Sequence, residues 1–117
     1  MATLQQLREL ALALPDTVEK SHFGQPDFRV GNKIFAGLKP KEGRGWLKLT
    51  PARQAALTST QPAAYVAAEG AWGRSGWTYL VLTEIGVRDL RSLVKEAWSL
   101  IAPRTVAGGE PRRPLNR

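Results

Sequence analysis

Basic side chains are concentrated in one segment of this 117-residue chain. Residues 29–53 hold seven Lys and Arg residues against a single carboxylate, Glu42, a net charge of +6, while the whole chain carries +7. Such side chains bind phosphate groups through a salt-dependent and largely sequence-independent attraction. The segment therefore favours nucleic acid or another polyanion as the partner, and its candidate binding residues are Arg29, Lys33, Lys39, Lys41, Arg44, Lys48 and Arg53.

A second candidate site is the stretch Glu69–Trp77, which places Arg74 between two tryptophans in a glycine-rich frame. Recognition loops are often built from aromatic and Arg residues on a flexible backbone. Arg74 joins the candidate nucleic-acid-binding residues on this basis. The alternative function is a protein-interaction module that binds an acidic protein or a small acidic ligand through this loop and the sheet.

Residues for catalysis are scarce. The chain has one histidine, His22, and no cysteine, which argues against metal sites built on His or Cys and against thiol chemistry. No serine lies in a nucleophile-elbow context, and no glycine-rich phosphate loop precedes a helix. We expect a protein without enzymatic activity, cofactor or metal; a cleft around Glu19 and His22 is the weaker, enzymatic alternative.

The composition is that of one globular domain. Hydrophobic residues make up 43% of the chain, and no run of about 18 apolar residues could cross a membrane. The absence of cysteine suits a reducing cytoplasm. Residues 104–117 contain four Arg against Glu110 among Gly and Pro, which predicts a mobile basic tail after a domain at 1–103. The oligomeric state stays open, with a slight preference for a monomer.

Helical periodicity appears at both ends of that domain. The leucines of MATLQQLRELALALP recur at helical spacing, with Thr3 and Gln6 placed for a capping box and Pro15 as the stop. Polar residues interrupt the same stretch, so we interpret it as a helix and not as a signal peptide. Residues 87–101 predict the strongest helix, with an apolar stripe from Leu90 to Ile101.

Residue types predict strands at 17–23 and 77–83. Alternation of apolar and polar residues predicts strands at 27–30, 33–39 and 46–49, with a hairpin turn at Gly31-Asn32. Thr50-Pro51 predicts the start of a short helix through Leu57, and a further helical turn is expected through Tyr65. Residues 69–76 are expected to form a flexible loop. The order predicts an α+β fold: an antiparallel sheet with the helices packed on one side.

The predicted strands also suggest where the charge lies. Arg29, Lys33, Lys39 and Lys48 are the non-core residues of their strands and are expected to share one solvent face. Trp46 lies on the same side of its strand as Lys48. Its ring could stack on a base or border a groove, or it could close a second core layer under the short helix.

Several segments together resemble the MmcQ/YjbR-like family of small bacterial proteins. They cover residues 3–103 and match by order and spacing, since no single motif is diagnostic. The matching segments are ALALP, Thr17–Phe23 with Glu19, Pro26–Val30, Gly31–Ala36, Trp46–Pro51, the Trp77 strand, Glu96–Trp98 and Ala102-Pro103.

This resemblance implies an α+β fold described as a double wing, similar in shape to secretion-chaperone-like domains. The family is commonly labelled DNA-binding, and it implies no catalytic set. The resemblance places the wing lysines at Lys33 and Lys48 and the loop before the late strand at Arg74–Trp77.

Overall fold

The computed structural model describes residues 1–103, except for the side chain of His22, and the predicted basic tail at 104–117 lies outside the described residues. The α+β prediction is confirmed: helices pack on a six-stranded antiparallel sheet of order β1-β2-β3-β4-β6-β5. The helices are α1 (Leu4–Leu12), α2 (Pro51–Thr60), α3 (Gly70–Arg74) and α4 (Val87–Ile101). The strands are β1 (Thr17–His22), β2 (Gln25–Val30), β3 (Lys33–Lys39), β4 (Arg44–Lys48), β5 (Tyr65–Ala67) and β6 (Trp77–Val81).

Tight turns join the first four strands into a meander. Two-residue turns connect β1 to β2 at Phe23-Gly24 and β2 to β3 at Gly31-Asn32, and all four turn residues have positive φ. Positive φ at both central residues is the turn geometry that matches the twist of paired strands. A four-residue connection, Pro40–Gly43, then leads into β4. The meander thus brings the basic residues of three strands side by side.

Cross-strand pairing divides the sheet into two faces, because paired residues point to the same side. On the helix face, Phe28, Leu38, Leu47 and Leu80 lie in the main core, which they share with the leucines of α1 and α4. A bulge at Phe35 in β3 leaves both Phe35 and Ala36 in that core. The opposite side, which we call the aromatic face, carries Arg29, Lys39, Arg44, Trp46, Lys48, Trp77 and Tyr79.

The predicted start of α1 and both predicted ends of α4 are confirmed, whereas α1 ends at Leu12, before the predicted stop at Pro15. Thr3 and Gln6 form the capping box of α1, and α4 spans the predicted residues 87–101. The indole N–H of Trp98 in α4 donates to the Pro15 carbonyl oxygen at 3.1 Å, which fixes the segment after α1 against the last helix. These contacts hold the two terminal helices together on the helix face.

Two local predictions differ from the structure. The helical turn expected through Tyr65 forms at residues 62–64, where the backbone N–H groups of Ala64 and Tyr65 donate to the Gln61 carbonyl oxygen at 3.0 and 3.1 Å. Tyr65 itself, however, begins the edge strand β5, where it pairs with Leu80 of β6 and is buried in the core. The flexible loop expected at 69–76 instead contains α3, whose Gly73 is buried against Ala68. In both places tertiary packing determines the local conformation, because β6 offers an unpaired edge and Trp72 a large apolar surface.

Within residues 1–103, no helix is both long and apolar enough to cross a membrane.

Candidate nucleic-acid interface

Four aromatic rings form a cluster on the aromatic face. The ring centroids of Trp72 and Trp77 lie 5.1 Å apart with an interplanar angle of 16°, a stacked arrangement. Trp46 contacts both rings, with its centroid 5.4 Å from Trp72 and 5.3 Å from Trp77, and Tyr79 meets the edge of Trp72 at 6.2 Å. Tilted and offset-stacked pairs at these distances are favourable aromatic geometries. The cluster is therefore a packed unit.

Gly37 and Gln54 determine the position of the aromatic cluster. Gly37 of β3 leaves room for the ring of its cross-strand partner, Trp46. The side-chain amide of Gln54 in α2 is buried and donates to the carbonyl oxygens of Gly73 at 3.0 Å and Trp77 at 2.9 Å. Because these carbonyls belong to α3 and β6, Gln54 holds α3 against the sheet and thereby positions Trp72.

Three cations lie over the rings of the cluster. The Lys39 ammonium is 4.9 Å and the Arg44 guanidinium 4.3 Å from the centroid of Tyr79. The Lys48 ammonium is 5.8 Å from the centroid of Trp77 and donates to the carbonyl oxygen of Ser75. All three fall within the range of cation–π attraction. The face therefore combines aromatic surface with positive charge at both ends of β4.

Carboxylates neutralise part of this charge. The guanidinium of Arg29 donates twice to Asp27, at 2.8 and 3.2 Å, and these hydrogen bonds raise the pKa of Arg29. Glu42 accepts from Arg44 at 3.0 Å and pairs with Lys39 at 3.6 Å. The hydrogen bond from Arg44, together with the charge of Lys39, lowers the pKa of Glu42. Arg29 and Arg44 are thus held by carboxylates.

The structure brings together most of the predicted site residues, but not all. Arg29, Lys39, Arg44 and Lys48 lie on the aromatic face. Lys41 is exposed in the turn before β4, and Arg74 is exposed at the end of α3. Neither forms an ion pair with any residue in the described part of the chain.

The prediction that Lys33 shares this face is wrong. Lys33 pairs across the hairpin with Val30, a core residue of the helix face, so the register places it on the other side of the sheet. The bulge at Phe35 shifts the alternation of β3 by one residue, which sequence spacing does not show. Arg53 also lies elsewhere, at the start of α2, where it pairs with Glu96 of α4 at 3.3 Å.

The functional residue that charge patterning missed is Trp72. Its side chain is 40% exposed, whereas Trp46 is only 8% exposed and closes a second, smaller core layer with Ala68 and Tyr79. The helix above that layer is α3 and not the short helix α2. The sequence signal for Trp72 is the pair of tryptophans in residues 69–77, which indicated that this segment could bind a partner.

Of the two residues of the enzymatic alternative, the structure describes only the side chain of Glu19. Glu19 accepts two hydrogen bonds from Arg8, at 3.0 and 3.1 Å, so its carboxylate is held against α1. Within residues 1–103, no group of three or more His, Asp or Glu residues is placed to hold a metal ion.

Comparison with known proteins identifies the family. Among solved structures, the chain is similar to the crystal structure of Deinococcus radiodurans protein DR2400, which carries the family-model domain DUF419. That similarity has a TM-score of 0.79 at 18% sequence identity and covers 97% of this chain and 94% of the other. No curated protein matches the chain. The family model YjbR matches residues 12–100, so the chain belongs to the YjbR family, as its sequence resemblance indicated.

Proposed function

We propose that this protein is a non-enzymatic binding protein that contacts nucleic acid through the aromatic face. The supporting observation is the convergence of four cations, Arg29, Lys39, Arg44 and Lys48, with an aromatic cluster on one side of the sheet. A basic surface interleaved with aromatic rings is the usual design of a nucleic-acid platform. The exposed Lys41 and Arg74 extend this surface beyond the sheet.

The ion pairs decide which of these cations bind phosphate. Arg29, Lys39 and Arg44 are held by carboxylates, so they mainly shape the surface. Lys41 and Arg74 form no ion pair within the described part of the chain, and Lys48 donates only to a backbone carbonyl oxygen. With about three phosphates neutralised, the slope of log K against log salt is roughly −2 to −3. The affinity is therefore moderate and salt-sensitive.

The test is fluorescence anisotropy of the full chain with labelled oligonucleotides across a salt series. The double variant Lys41→Glu/Arg74→Glu should weaken binding at least tenfold and flatten the salt slope, because it reverses the two exposed cations that extend the aromatic face and form no ion pair within the described part of the chain. The matched control Arg88→Glu/Lys95→Glu makes the same change at exposed positions of α4, which packs on the opposite face. It should stay within about threefold of the wild type.

Two outcomes would contradict the proposal. The first is no binding by the wild-type chain at low salt. The second is an equal loss in both double variants, which would mean that the total charge matters and the aromatic face does not.

A protein-interaction module is the second candidate, and the exposure of Trp72 on α3 favours it. Exposed tryptophans near Arg are frequent anchors at protein interfaces. A stoichiometric partner that persists after nuclease treatment and is lost in Trp72→Ala would favour this function. Partners that disappear with nuclease would favour nucleic acid.

A further inference from the structure

We infer that the aromatic face binds single-stranded nucleic acid in preference to duplex, with an unpaired base stacked on the exposed ring of Trp72. This inference rests on the proposed function and specifies its substrate.

Trp72 is the most exposed residue of the cluster. It is 40% exposed, whereas Tyr79 is 5% and Trp46 8% exposed. One side of its ring is stacked against Trp77, which is half-buried beneath it. A flat ligand on the exposed side would extend the stack of Trp77 and Trp72 by one layer. The purine and pyrimidine bases are flat ligands of this kind.

Base pairing controls access to such a ring. In a duplex, both faces of an internal base are covered by its neighbours, and exposing one costs a few kcal/mol. In a single strand the base faces are accessible, and stacking on an aromatic side chain contributes about 1–3 kcal/mol per base. Phosphate contacts alone favour the duplex, because it has the higher charge density. A preference for the single strand therefore requires stacking on the exposed ring.

The cations are arranged to hold the strand on both sides of this base. Arg44 and Lys48 bracket Trp46 on β4, and four residues of strand place them about 13 Å apart. Glu42 pairs with both Lys39 and Arg44, so the phosphate contact at that end comes from the exposed Lys41 in the turn before β4. Arg74 follows Trp72 by two residues in α3. The aromatic cluster therefore lies between positive charges near the two ends of β4. A short single strand with one base stacked on Trp72 has phosphates on both sides of that base, and these charges are placed to bind them.

The position of Trp72 is fixed before any ligand binds. Gln54 bonds the carbonyl oxygens of Gly73 and Trp77, and Lys48 bonds that of Ser75, so both strand and helix hold the ring in place. A preorganised ring loses little conformational entropy on binding. We therefore expect stacking to appear in the measured affinity.

The experiment compares three labelled probes on the full chain by anisotropy. They are a mixed-sequence 16-nucleotide single strand, the 16-base-pair duplex with its complement, and an abasic strand of the same length and charge. The single strand should bind at least tenfold more tightly than the duplex and quench tryptophan emission. The abasic strand should bind no more tightly than the duplex, because it offers phosphates without bases.

Two variants test the ring directly. Trp72→Ala should weaken single-strand binding about fivefold to 150-fold, the equivalent of about 1–3 kcal/mol, and change duplex binding less than twofold. Trp72→Phe keeps an aromatic ring in the cluster and should recover most of the single-strand preference. This second variant also separates loss of stacking from loss of fold.

The outcomes distinguish this inference from the proposed function. Binding of none of the three probes would overturn the proposed function and the inference with it. Duplex or abasic binding as tight as single-strand binding would overturn the inference and leave the proposed function standing. A single-strand preference that survives in Trp72→Ala would also overturn it.

Discussion

The indole ring of Trp46 lies directly over Gly37, its cross-strand partner. A Cβ atom on Gly37 would come within 2.1 Å of Cζ2 and 2.3 Å of Cε2 of the Trp46 ring. Trp46 in turn contacts the rings of Trp72 and Trp77. The absence of a side chain at Gly37 thus leaves the space that the Trp46 ring occupies, and the packing of the aromatic cluster depends on the position of that ring.

Gly37→Ala should therefore displace the Trp46 ring and disturb the packing of the aromatic cluster. We expect the free energy of unfolding to fall by about 1–3 kcal/mol, because the ring of Trp46 must move out of a packed position. Urea denaturation measures this loss, and near-UV circular dichroism reports the changed ring geometry. Gly86→Ala is the matched control, since no atom lies within 4 Å of the added Cβ there. An equal loss in both variants would contradict this account of Gly37.

Gln54→Ala should detach α3 from the sheet. The substitution removes a side-chain amide whose two N–H groups are shared among three acceptors, the carbonyl oxygens of Gly73 and Trp77 and the hydroxyl of Thr78, all in a buried or partly buried setting. Leaving such acceptors unpaired costs about 2–3 kcal/mol in the free energy of unfolding. The emission of Trp72 should shift to longer wavelength at the same time. Gln61→Ala, at an exposed position, should show neither effect.

Glu42→Gln should strengthen nucleic-acid binding. Glu42 pairs with both Lys39 and Arg44, so removing its charge frees two cations of the aromatic face for phosphate. We expect a gain of several-fold in affinity at low salt and a salt slope steeper by about one to two. Anisotropy across the salt series measures both. Glu84→Gln removes the same charge from an exposed site outside the aromatic face, and a gain of equal size there would contradict the prediction.

The stability of the protein should depend on Tyr65 at alkaline pH. Burial raises the pKa of its hydroxyl above the ordinary value of 10.0, and Asp89 raises it further against an opposing effect of Arg53. The folded state therefore keeps this proton where the unfolded state loses it, so the contribution is complete below pH 10 and is lost as pH rises through the folded pKa.

Tyr65→Phe removes that ionisation. Its unfolding free energy should fall less steeply above pH 10 than that of the wild type, as measured by urea denaturation between pH 7 and 11. At pH 7 the change should be under about 1 kcal/mol, because this hydroxyl makes no hydrogen bond within the described part of the chain. Parallel pH curves for the two proteins would contradict the prediction.

Much of the fold could be predicted from periodicity and capping. The Thr3 capping box, the Gly31-Asn32 turn and the helix from Val87 to Ile101 all depend on local sequence, and the structure confirms them. Residues 65–67 and 70–74 could not be predicted in this way. Their conformations depend on the edge of β6 and on packing of Trp72, which are contacts with distant parts of the chain.

The positive charge of the candidate site could be predicted from the sequence, but the arrangement of its side chains could not. Sequence alternation placed Arg29, Lys39 and Lys48 on one face, and strand pairing confirms this. The bulge at Phe35 moves Lys33 to the other face, and no residue type in β3 signals it. The partners of the cations, such as Glu42 for Arg44, depend on side-chain geometry that charge counting does not describe.

The meander of β1 to β4 has a consequence for the order in which the chain folds. Its three connections are two, two and four residues long, so each hairpin closes a short loop. By contrast, β6 must reach β4 across residues 49–76, and Trp98 reaches Pro15 across 83 residues. Because closing longer loops costs more entropy, we expect the meander to form early and β6 and α4 to dock late. The aromatic face, which needs both β4 and β6, would then be completed only near the end of folding.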